Sequence, residues 1–269
     1  MGELWGIGGV VLMVKLTLIQ GDCLKVLPKL SSESVDLVVT SPPYNLQKPI
    51  PSGPRALGKR KEINYNDNLM QNEYFMFLDR FISESLRVVK NYIFLNIQPL
   101  SNNKIALFKL VGKYAENIKE IIVWHKKRFQ RAINKKVLSS AYEFIIVFGK
   151  NIPENRAFVF DVNKESNCWM GEPNDIFYRE NFNMEGLGAV FPFWLPKKII
   201  SIFSEKGNTV LDPFLGSGTT MKACLELKRN CIGIEISPEH VSITKKRLNW
   251  GYSLGDVEFE FLTEDEFLR

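Results

Sequence analysis

The chain has 269 residues, 45% of them hydrophobic, and its 35 basic and 30 acidic side chains give a net charge of +5. The hydrophobic share is sufficient for a folded core and argues against extended disorder. The mildly basic balance permits a polyanionic partner without requiring one. A membrane-spanning helix needs roughly 18 consecutive apolar residues; no segment approaches that length, so we expect no membrane association.

The predicted elements alternate between strands and helices from residue 15 onward. Strands are predicted at 15–22, 35–41, 91–97, 118–126, 141–150 and 231–237, helices at 72–90, 103–115, 192–207 and 238–249, and a short helix and loop at 23–34. Residues 209–229 are predicted as a strand, a glycine turn and a helix. The strand VDLVVTS is almost continuously apolar, which is typical of burial on both faces of a parallel sheet. The pattern predicts an α/β fold with a mostly parallel central sheet and helices on both faces.

Three segments depart from this alternation. Residues 1–14 precede the first patterned strand and lack a basic n-region, so we predict an extension without a signal peptide, and Met13 is a second candidate start. Residues 46–70 are rich in Pro, Gly and basic side chains and are predicted as a loop. Residues 150–186 lose the periodicity and are predicted as part of a variable recognition region.

The cysteine and histidine content is low. Four cysteines show no CxxC spacing, and there are only two histidines, which disfavours both a zinc site and a disulfide framework. We therefore predict no metal, and reduced thiols in a cytoplasmic protein.

A glycine turn in the segment VLDPFLGSGTT lies between a predicted strand and a predicted helix. Gly216 and Gly218 allow the backbone to bend tightly and approach a ligand. No Lys follows Gly218, so the turn is not a Walker-type phosphate loop. Asp212 ends the strand and Glu235 ends the next one, where an acidic side chain can bind a ribose diol. Taken alone the turn also fits an ordinary strand-to-helix connection, but with these carboxylates it favours a cofactor with a ribose and a positive centre.

A proline elbow in the segment VVTSPPYN follows the second predicted strand. Pro42 and Pro43 have no backbone N–H and cannot continue a strand ladder. They form a rigid corner that presents Ser41 and Tyr44. By itself, this corner is also compatible with a proline-rich turn that closes a strand.

Together the two motifs resemble those of the S-adenosylmethionine-dependent DNA amino-methyltransferases, which modify N6 of adenine or N4 of cytosine. TSPPY at 40–44 precedes the glycine motif at 212–220. This order is that of the β group of the family, a circular permutation of the Rossmann-like methyltransferase fold. The resemblance covers residues 15–250 and implies one methyltransferase domain at 15–269, with a DNA-contacting loop at 46–70 and a target-recognition region at about 125–186.

The resemblance implies that the cofactor is S-adenosylmethionine. The residues that it assigns to cofactor binding are Asp22, Asp212, Phe214, Gly216, Gly218, Thr219, Thr220, Glu235, Phe191 and Pro192. Asp22 would accept from the adenine amine of the cofactor, and Phe191 and Pro192 would close over its methionine end. Leu187 stands where family members commonly carry a His, so the chain departs from the pattern in that segment.

The elbow supplies the predicted catalytic residues Ser41, Pro42, Pro43 and Tyr44. The Ser41 hydroxyl and the Pro42 carbonyl would accept hydrogens from the exocyclic amine of the target base. Tyr44 would stack on a base extruded from the duplex, and Tyr142 would stack opposite it. A serine at position 41, where the family usually has aspartate for adenine, favours N4 of cytosine; the alternative is N6 of adenine.

Two basic clusters are predicted to contact the phosphates of double-stranded DNA. Their members are Lys48, Arg55, Lys59, Arg60, Lys126, Lys127, Arg128 and Arg131. A cognate restriction endonuclease and a homodimer are further expectations from the resemblance. Two other interpretations remain open at this stage: a methyltransferase for RNA or a protein amide, and a catalytically inactive DNA- or nucleotide-binding module.

Overall fold

The structure is a computed structural model that describes residues 13–46, 68–127, 138–150, 158–173, 191–251 and 255–269. Nine strands in these ranges form one sheet: β1 (Val14–Gln20), β2 (Val35–Thr40), β3 (Val89–Ile97), β4 (Ile118–Lys126), β5 (Tyr142–Gly149), β6 (Cys168–Gly171), β7 (Thr209–Asp212), β8 (Asn230–Glu235) and β9 (Val257–Thr263). The α-helices are α1 (Cys23–Val26), α2 (Gln71–Val88), α3 (Lys104–Lys113), α4 (Trp194–Phe203), α5 (Thr219–Leu227), α6 (Pro238–Arg247) and α7 (Glu264–Leu268).

The strand order is β6-β4-β5-β3-β2-β7-β8-β1-β9. All neighbouring pairs are parallel except the two that β5 forms with β3 and β4. The carboxyl ends of the other eight strands and the amino end of β5 therefore lie at one edge of the sheet, which we call the carboxyl edge. The predicted α/β fold with a mostly parallel sheet is confirmed.

Two hydrophobic cores lie on opposite faces of the sheet. One packs α4, α5 and α6 against it through side chains such as Leu195, Met221 and Val241. The other packs α1, α2 and α3 through side chains such as Val26, Leu78 and Leu107. Helices cover both faces, as predicted, and the strands between them are apolar because both of their faces are buried.

Some boundaries differ from those predicted. Lys90 was expected near the end of a helix but lies in β3, because α2 ends at Val88 and the strand follows without a loop. The helix predicted at 192–207 begins at Trp194 and ends at Phe203, before Gly207, whose φ of 83° is left-handed. Strands β6 and β9 were not predicted. β6 has only four residues, and β9 is an edge strand whose alternating pattern is partly exposed.

Candidate active site

The proline elbow and the glycine turn meet at the carboxyl edge. Their strands β2 and β7 are neighbouring and parallel, with Val38 beside Leu211. At the ends of these strands the Thr40 hydroxyl donates a hydrogen bond of 2.6 Å to Asp212 Oδ1, and both side chains are buried. Two motifs that are far apart in the sequence thus lie side by side in the fold.

Asp212 is a buried carboxylate where the two motifs meet. Burial raises the pKa of its side chain from 3.8 to about 6, although hydrogen bonds with hydroxyl groups and with the Phe214 amide oppose that shift. The Phe214 amide donates to Oδ1 at 3.1 Å, while the Phe214 ring packs against Phe77 and Phe81 of α2. The Phe214 ring therefore anchors the glycine turn to the core, while its amide fixes the Asp212 carboxylate.

The glycine turn needs its two glycines for different reasons. Both have left-handed φ values, 56° at Gly216 and 80° at Gly218, which L side chains rarely adopt. A Cβ on Gly218 would lie 2.8 Å from Thr244 Cγ2, whereas one on Gly216 would meet nothing nearer than 4.0 Å. The turn therefore packs closely against α6 at Gly218, whereas the space beside Gly216 is unfilled and can admit a ligand.

Helix α6 contacts the glycine turn through side chains that the sequence pattern did not indicate. Thr244 donates to the Gly216 carbonyl, and the buried Arg247 donates through Nη1 to the Ser217 carbonyl and hydroxyl and to Thr219 Oγ1. In the sequence Arg247 follows two lysines and resembles an ordinary basic helix end. Only the packing of α6 against the turn distinguishes it.

Glu235 and Asp22 lie at the ends of the adjacent strands β8 and β1. The Glu235 carboxylate accepts from the Gly216 amide at 2.7 Å and from the Ser237 amide at 2.8 Å. Asp22 Oδ1 accepts from the Leu24 amide and caps α1. Both carboxylates are thus fixed by backbone amides at the carboxyl edge, beside the glycine turn.

The elbow is anchored by neighbouring elements. The Tyr74 hydroxyl donates to the Pro43 carbonyl at 2.6 Å, and Asn103 Nδ2 donates to the Tyr44 carbonyl at 2.8 Å. Asn45, with a φ of 57°, exchanges hydrogen bonds with the backbone of Leu69. Among the described residues no donor is paired with the Pro42 carbonyl, which follows Ser41 in the elbow.

The Tyr44 hydroxyl joins the elbow to β3 and β5. It lies 2.7 Å from Glu143 Oε2 and 3.3 Å from Asn96 Oδ1, and Ser41 Oγ donates to it at 3.1 Å. Burial and the nearby Glu143 carboxylate hold the pKa of the Tyr44 phenol well above its usual 10.0. The phenol therefore stays protonated and acts as a hydrogen-bond donor.

Glu143 also forms a buried ion pair with Lys126. Lys126 Nζ lies 2.6 Å from Glu143 Oε1, and the two side chains are 12% and 8% exposed. Asn96 Nδ2 adds a hydrogen bond of 3.0 Å to Oε2. Lys126 was predicted as a phosphate contact; in the structure its ammonium group is paired with Glu143. The sequence does carry a signal for Glu143, since it is the single carboxylate in the apolar strand YEFIIVFG.

The remaining predicted residues lie at or near this edge, or outside the described ranges. Tyr142 begins β5, is 39% exposed and packs beside Phe144. Phe191 and Pro192 lie just before α4, and this helix packs on α5 and β2. Thr219 and Thr220 begin α5 and are buried, and Lys127 is exposed directly after β4. Lys48, Arg55, Lys59, Arg60, Arg128 and Arg131 lie outside the described residues.

Metal-binding clusters and membrane-spanning helices are both absent from the described part of the chain. No group of three or more His, Cys, Asp or Glu side chains there is arranged to hold a metal ion. None of the helices in those ranges is long and apolar enough to cross a membrane. The four cysteines are free thiols, of which Cys168 is exposed.

The fold and the site define an α/β protein that presents a ligand site at the carboxyl edge of a mostly parallel sheet. Residues 35–246 match the family model of the N6/N4 methyltransferases, described as DNA methylase. The Type II methyltransferase M.HpaI of Haemophilus parainfluenzae is 30% identical over 86% of this chain and 74% of its own length. M.MjaI of Methanocaldococcus jannaschii is 29% identical over 90% of this chain and 95% of its own length. The chain belongs to the N6/N4 DNA methylase family and is a DNA methyltransferase.

Solved structures share the fold at lower identity. The PvuII DNA methyltransferase, described as cytosine-N4-specific, aligns with a TM-score of 0.67 at 21% identity, over 96% of this chain and 91% of its own. A DNA modification methylase from Thermus thermophilus, solved with S-adenosyl-L-methionine, aligns with a TM-score of 0.58 at 22% identity, over 90% of this chain and 98% of its own. At these identities the similarity establishes the fold.

Proposed function

We propose that this chain transfers a methyl group from S-adenosylmethionine to N4 of cytosine within a specific sequence of double-stranded DNA. The observation that carries the proposal is the Thr40–Asp212 contact, which holds the elbow and the glycine turn side by side. The choice of cytosine rests on Ser41, since the family resemblance associates serine at this position with cytosine and aspartate with adenine. The alternative target is N6 of adenine, for which the proline elbow and the glycine turn would have the same roles.

The residues at the carboxyl edge fit S-adenosylmethionine as the cofactor. Asp212 and Glu235 end the neighbouring strands β7 and β8, and Asp22 follows β1. These carboxylates suit a ligand with a cationic centre, ribose hydroxyls and an amine. Gly216 leaves open space beside them. Asp212 would face the cationic end, Glu235 the ribose and Asp22 the adenine amine, with Phe191 and Pro192 near the methionine end.

The elbow residues perform the chemistry on the base. When bound, the cofactor supplies an electrophilic methyl group. An exocyclic amine is a weak nucleophile because its lone pair is delocalised into the ring. The Ser41 hydroxyl and the Pro42 carbonyl accept the two amine hydrogens and hold the lone pair out of conjugation, and the Tyr44 ring stacks on the extruded base.

DNA binding is assigned to the basic residues near this edge. Lys127 is exposed there, and the predicted contacts in residues 47–67 and 128–137 adjoin the elbow and β4 in sequence. The recognition role of residues 125–186 stays a prediction, as do a homodimer, a cognate restriction endonuclease and a cytoplasmic location.

A nucleoside analysis tests the proposal. The purified chain is incubated with S-adenosylmethionine labelled in its methyl group and with mixed DNA, RNA and protein. The DNA is then digested and its nucleosides are separated by mass. We expect N4-methylcytosine. N6-methyladenine would overturn the choice of base, and label confined to RNA or protein would overturn the choice of DNA. Asp212→Ala, which lacks the central carboxylate, is the control variant in the same assay. Sequencing of the methylated DNA gives the target site.

A further inference from the structure

A continuous chain of hydrogen bonds runs from Ser41 to a buried carboxylate. Ser41 Oγ donates to the Tyr44 hydroxyl at 3.1 Å, and the Tyr44 hydroxyl donates to Glu143 Oε2 at 2.7 Å. Asn96 Nδ2 donates to the same oxygen at 3.0 Å, and Lys126 Nζ lies 2.6 Å from the other oxygen, Oε1. The chain therefore joins the predicted amine acceptor to a fixed negative charge on β5.

The direction of this chain follows from proton counting. A carboxylate in an ion pair only accepts hydrogen bonds, and Glu143 is paired with Lys126 and accepts from Asn96. The single phenolic proton of Tyr44 must then point to Glu143, since the contact with the charged oxygen is shorter than the 3.3 Å to Asn96 Oδ1. The phenolic oxygen is left as an acceptor, and the Ser41 proton points to it.

Serine needs such an arrangement at this position, whereas a carboxylate would not. A hydroxyl can donate or accept, while the exocyclic amine of a base must find acceptors for its hydrogens if its lone pair is to be freed. With its own proton committed to Tyr44, Ser41 Oγ presents only lone pairs to the amine. Hydrogen bonds in such a chain also polarise one another, which strengthens Ser41 as an acceptor.

We propose that Glu143 is a positioning residue that acts through Tyr44 to fix the Ser41 hydroxyl as an acceptor for the target amine. The inference rests on the proposed function and extends it to a residue outside the two motifs. Lys126 and Asn96 hold the Glu143 carboxylate in place. The competing interpretation is that the Glu143–Lys126 pair only stabilises the packing of β4 against β5.

The primary test is Tyr44→Phe, which removes the hydroxyl and keeps both the ring and the ion pair. Methyl transfer is measured on DNA that carries the target site. We expect kcat to fall about tenfold, with KM for DNA and the calorimetric affinity for the cofactor changing less than about twofold. Tyr114→Phe is the matched control, because it also removes a hydrogen bond from a phenol to a carboxylate, the 2.9 Å bond from Tyr114 to Asp79. Tyr114 directly follows α3 and lies at the opposite edge of the sheet. An unchanged kcat in Tyr44→Phe would overturn the proposal.

A double-mutant cycle separates orientation from structural support. In single-turnover reactions on a Ser41→Ala background, Tyr44→Phe should change the rate by less than about twofold, since no hydroxyl remains to be oriented. The same tenfold fall on that background would show that Tyr44 acts independently of Ser41 and would contradict the inference.

Glu143→Gln tests the charged end of the chain. It should lower kcat at least as much as Tyr44→Phe, and the two changes should not add when they are combined. Circular dichroism checks folding, because this variant leaves Lys126 without its partner; if the variant does not fold, the Tyr44→Phe result alone decides. Absence of methyl transfer to DNA by the unmodified chain would instead contradict the proposed function, so the two failures are distinguishable.

Discussion

At the residue scale, the site is a group of buried polar side chains at the end of an otherwise apolar sheet. Its members are Thr40, Asn45, Asn96, Asn103, Glu143, Asp212, Glu235 and Arg247. Burying polar groups is unfavourable unless they are hydrogen-bonded. Here Asn45 bonds to the backbone of Leu69 and Asn102, and each of the other side chains bonds to the elbow, to the glycine turn or to another member of the group. The group therefore fixes the positions of the acceptors and carboxylates that the chemistry requires.

Tyr44 and Asp212 should separate catalysis from cofactor binding. Tyr44→Ala removes the stacking ring and the partner of Ser41, so we expect turnover to fall by roughly a hundredfold or more while cofactor affinity survives. Asp212→Ala should lose cofactor affinity first. Calorimetry with the cofactor and a methyl-transfer assay are run on both variants; loss of cofactor affinity in Tyr44→Ala would show that its role is wrongly assigned.

The raised pKa of Asp212 predicts a pH-dependent stability. Because its pKa is about 6 in the folded chain against an ordinary 3.8, folding favours the protonated acid, and this contribution is lost as the pH rises from about 4 to 6. Asp212→Asn removes the titration, so its stability relative to the unmodified chain should rise by roughly 3 kcal/mol across that window. Urea unfolding of both unliganded proteins at several pH values measures the difference. A difference independent of pH would contradict the assignment.

At the element scale, each motif is positioned by elements that come from elsewhere in the chain. The glycine turn between β7 and α5 is pressed by α6. The elbow after β2 is held by α2 through Tyr74 and by the segment before α3 through Asn103. Both motifs are held by contacts from these supporting elements, so a change in the elements should affect the site.

Gly218 should not tolerate a side chain. Its φ of 80° and the Cβ position 2.8 Å from Thr244 Cγ2 predict that Gly218→Ala destabilises the chain by about 1–2 kcal/mol or more and weakens cofactor binding. Gly112→Ala is the matched control, because that glycine lies within α3 with nothing within 4 Å of its Cβ position. The control should stabilise the chain by up to about 1 kcal/mol. Denaturant unfolding and cofactor titration measure both, and equal effects would contradict the explanation.

At the scale of the whole molecule, the sheet directions gather the functional groups at one edge. Parallel strands on both sides of β5 end there, and β5 begins there, so the elbow, the carboxylates and Glu143 share that edge. The net charge of +5 is modest. DNA affinity should therefore depend on where the basic residues lie rather than on the overall charge.

Lys127 should contribute one phosphate contact, since it is exposed at the carboxyl edge after β4. Lys127→Gln is expected to reduce the slope of log affinity against log salt by about 1. Lys206→Gln, which lies before β7 at the opposite edge, is the control and should leave the slope unchanged. Fluorescence anisotropy with labelled duplex across a salt series measures both. An equal reduction in the two variants would indicate a general charge effect.

Much of the fold was predictable because its signals are local. Continuous apolar runs identified β2, β3 and β5, and helical spacing identified α2 and α3, since burial on a sheet or a helix face imposes a fixed period. β6 was missed because four residues carry too little periodicity. Trp124, near the end of β4, is buried, and its indole donates to the Gly171 carbonyl of β6. A short strand and an aromatic at an element's end depend on contacts that a local pattern does not contain.

The sequence by itself determined the α/β class, the two motifs and the family to which they belong, because the residues of each motif are adjacent in the chain. The tertiary structure decided which side chains complete the site. Glu143, Asn96, Thr244 and Arg247 come from separate elements and acquire their roles only where β3, β5 and α6 pack beside the motifs. The structure also shows that Lys126 is paired with Glu143 in a largely buried ion pair, which the sequence did not indicate. The physical reason is that hydrogen bonds and ion pairs act over a few ångströms in space, whatever the distance along the chain.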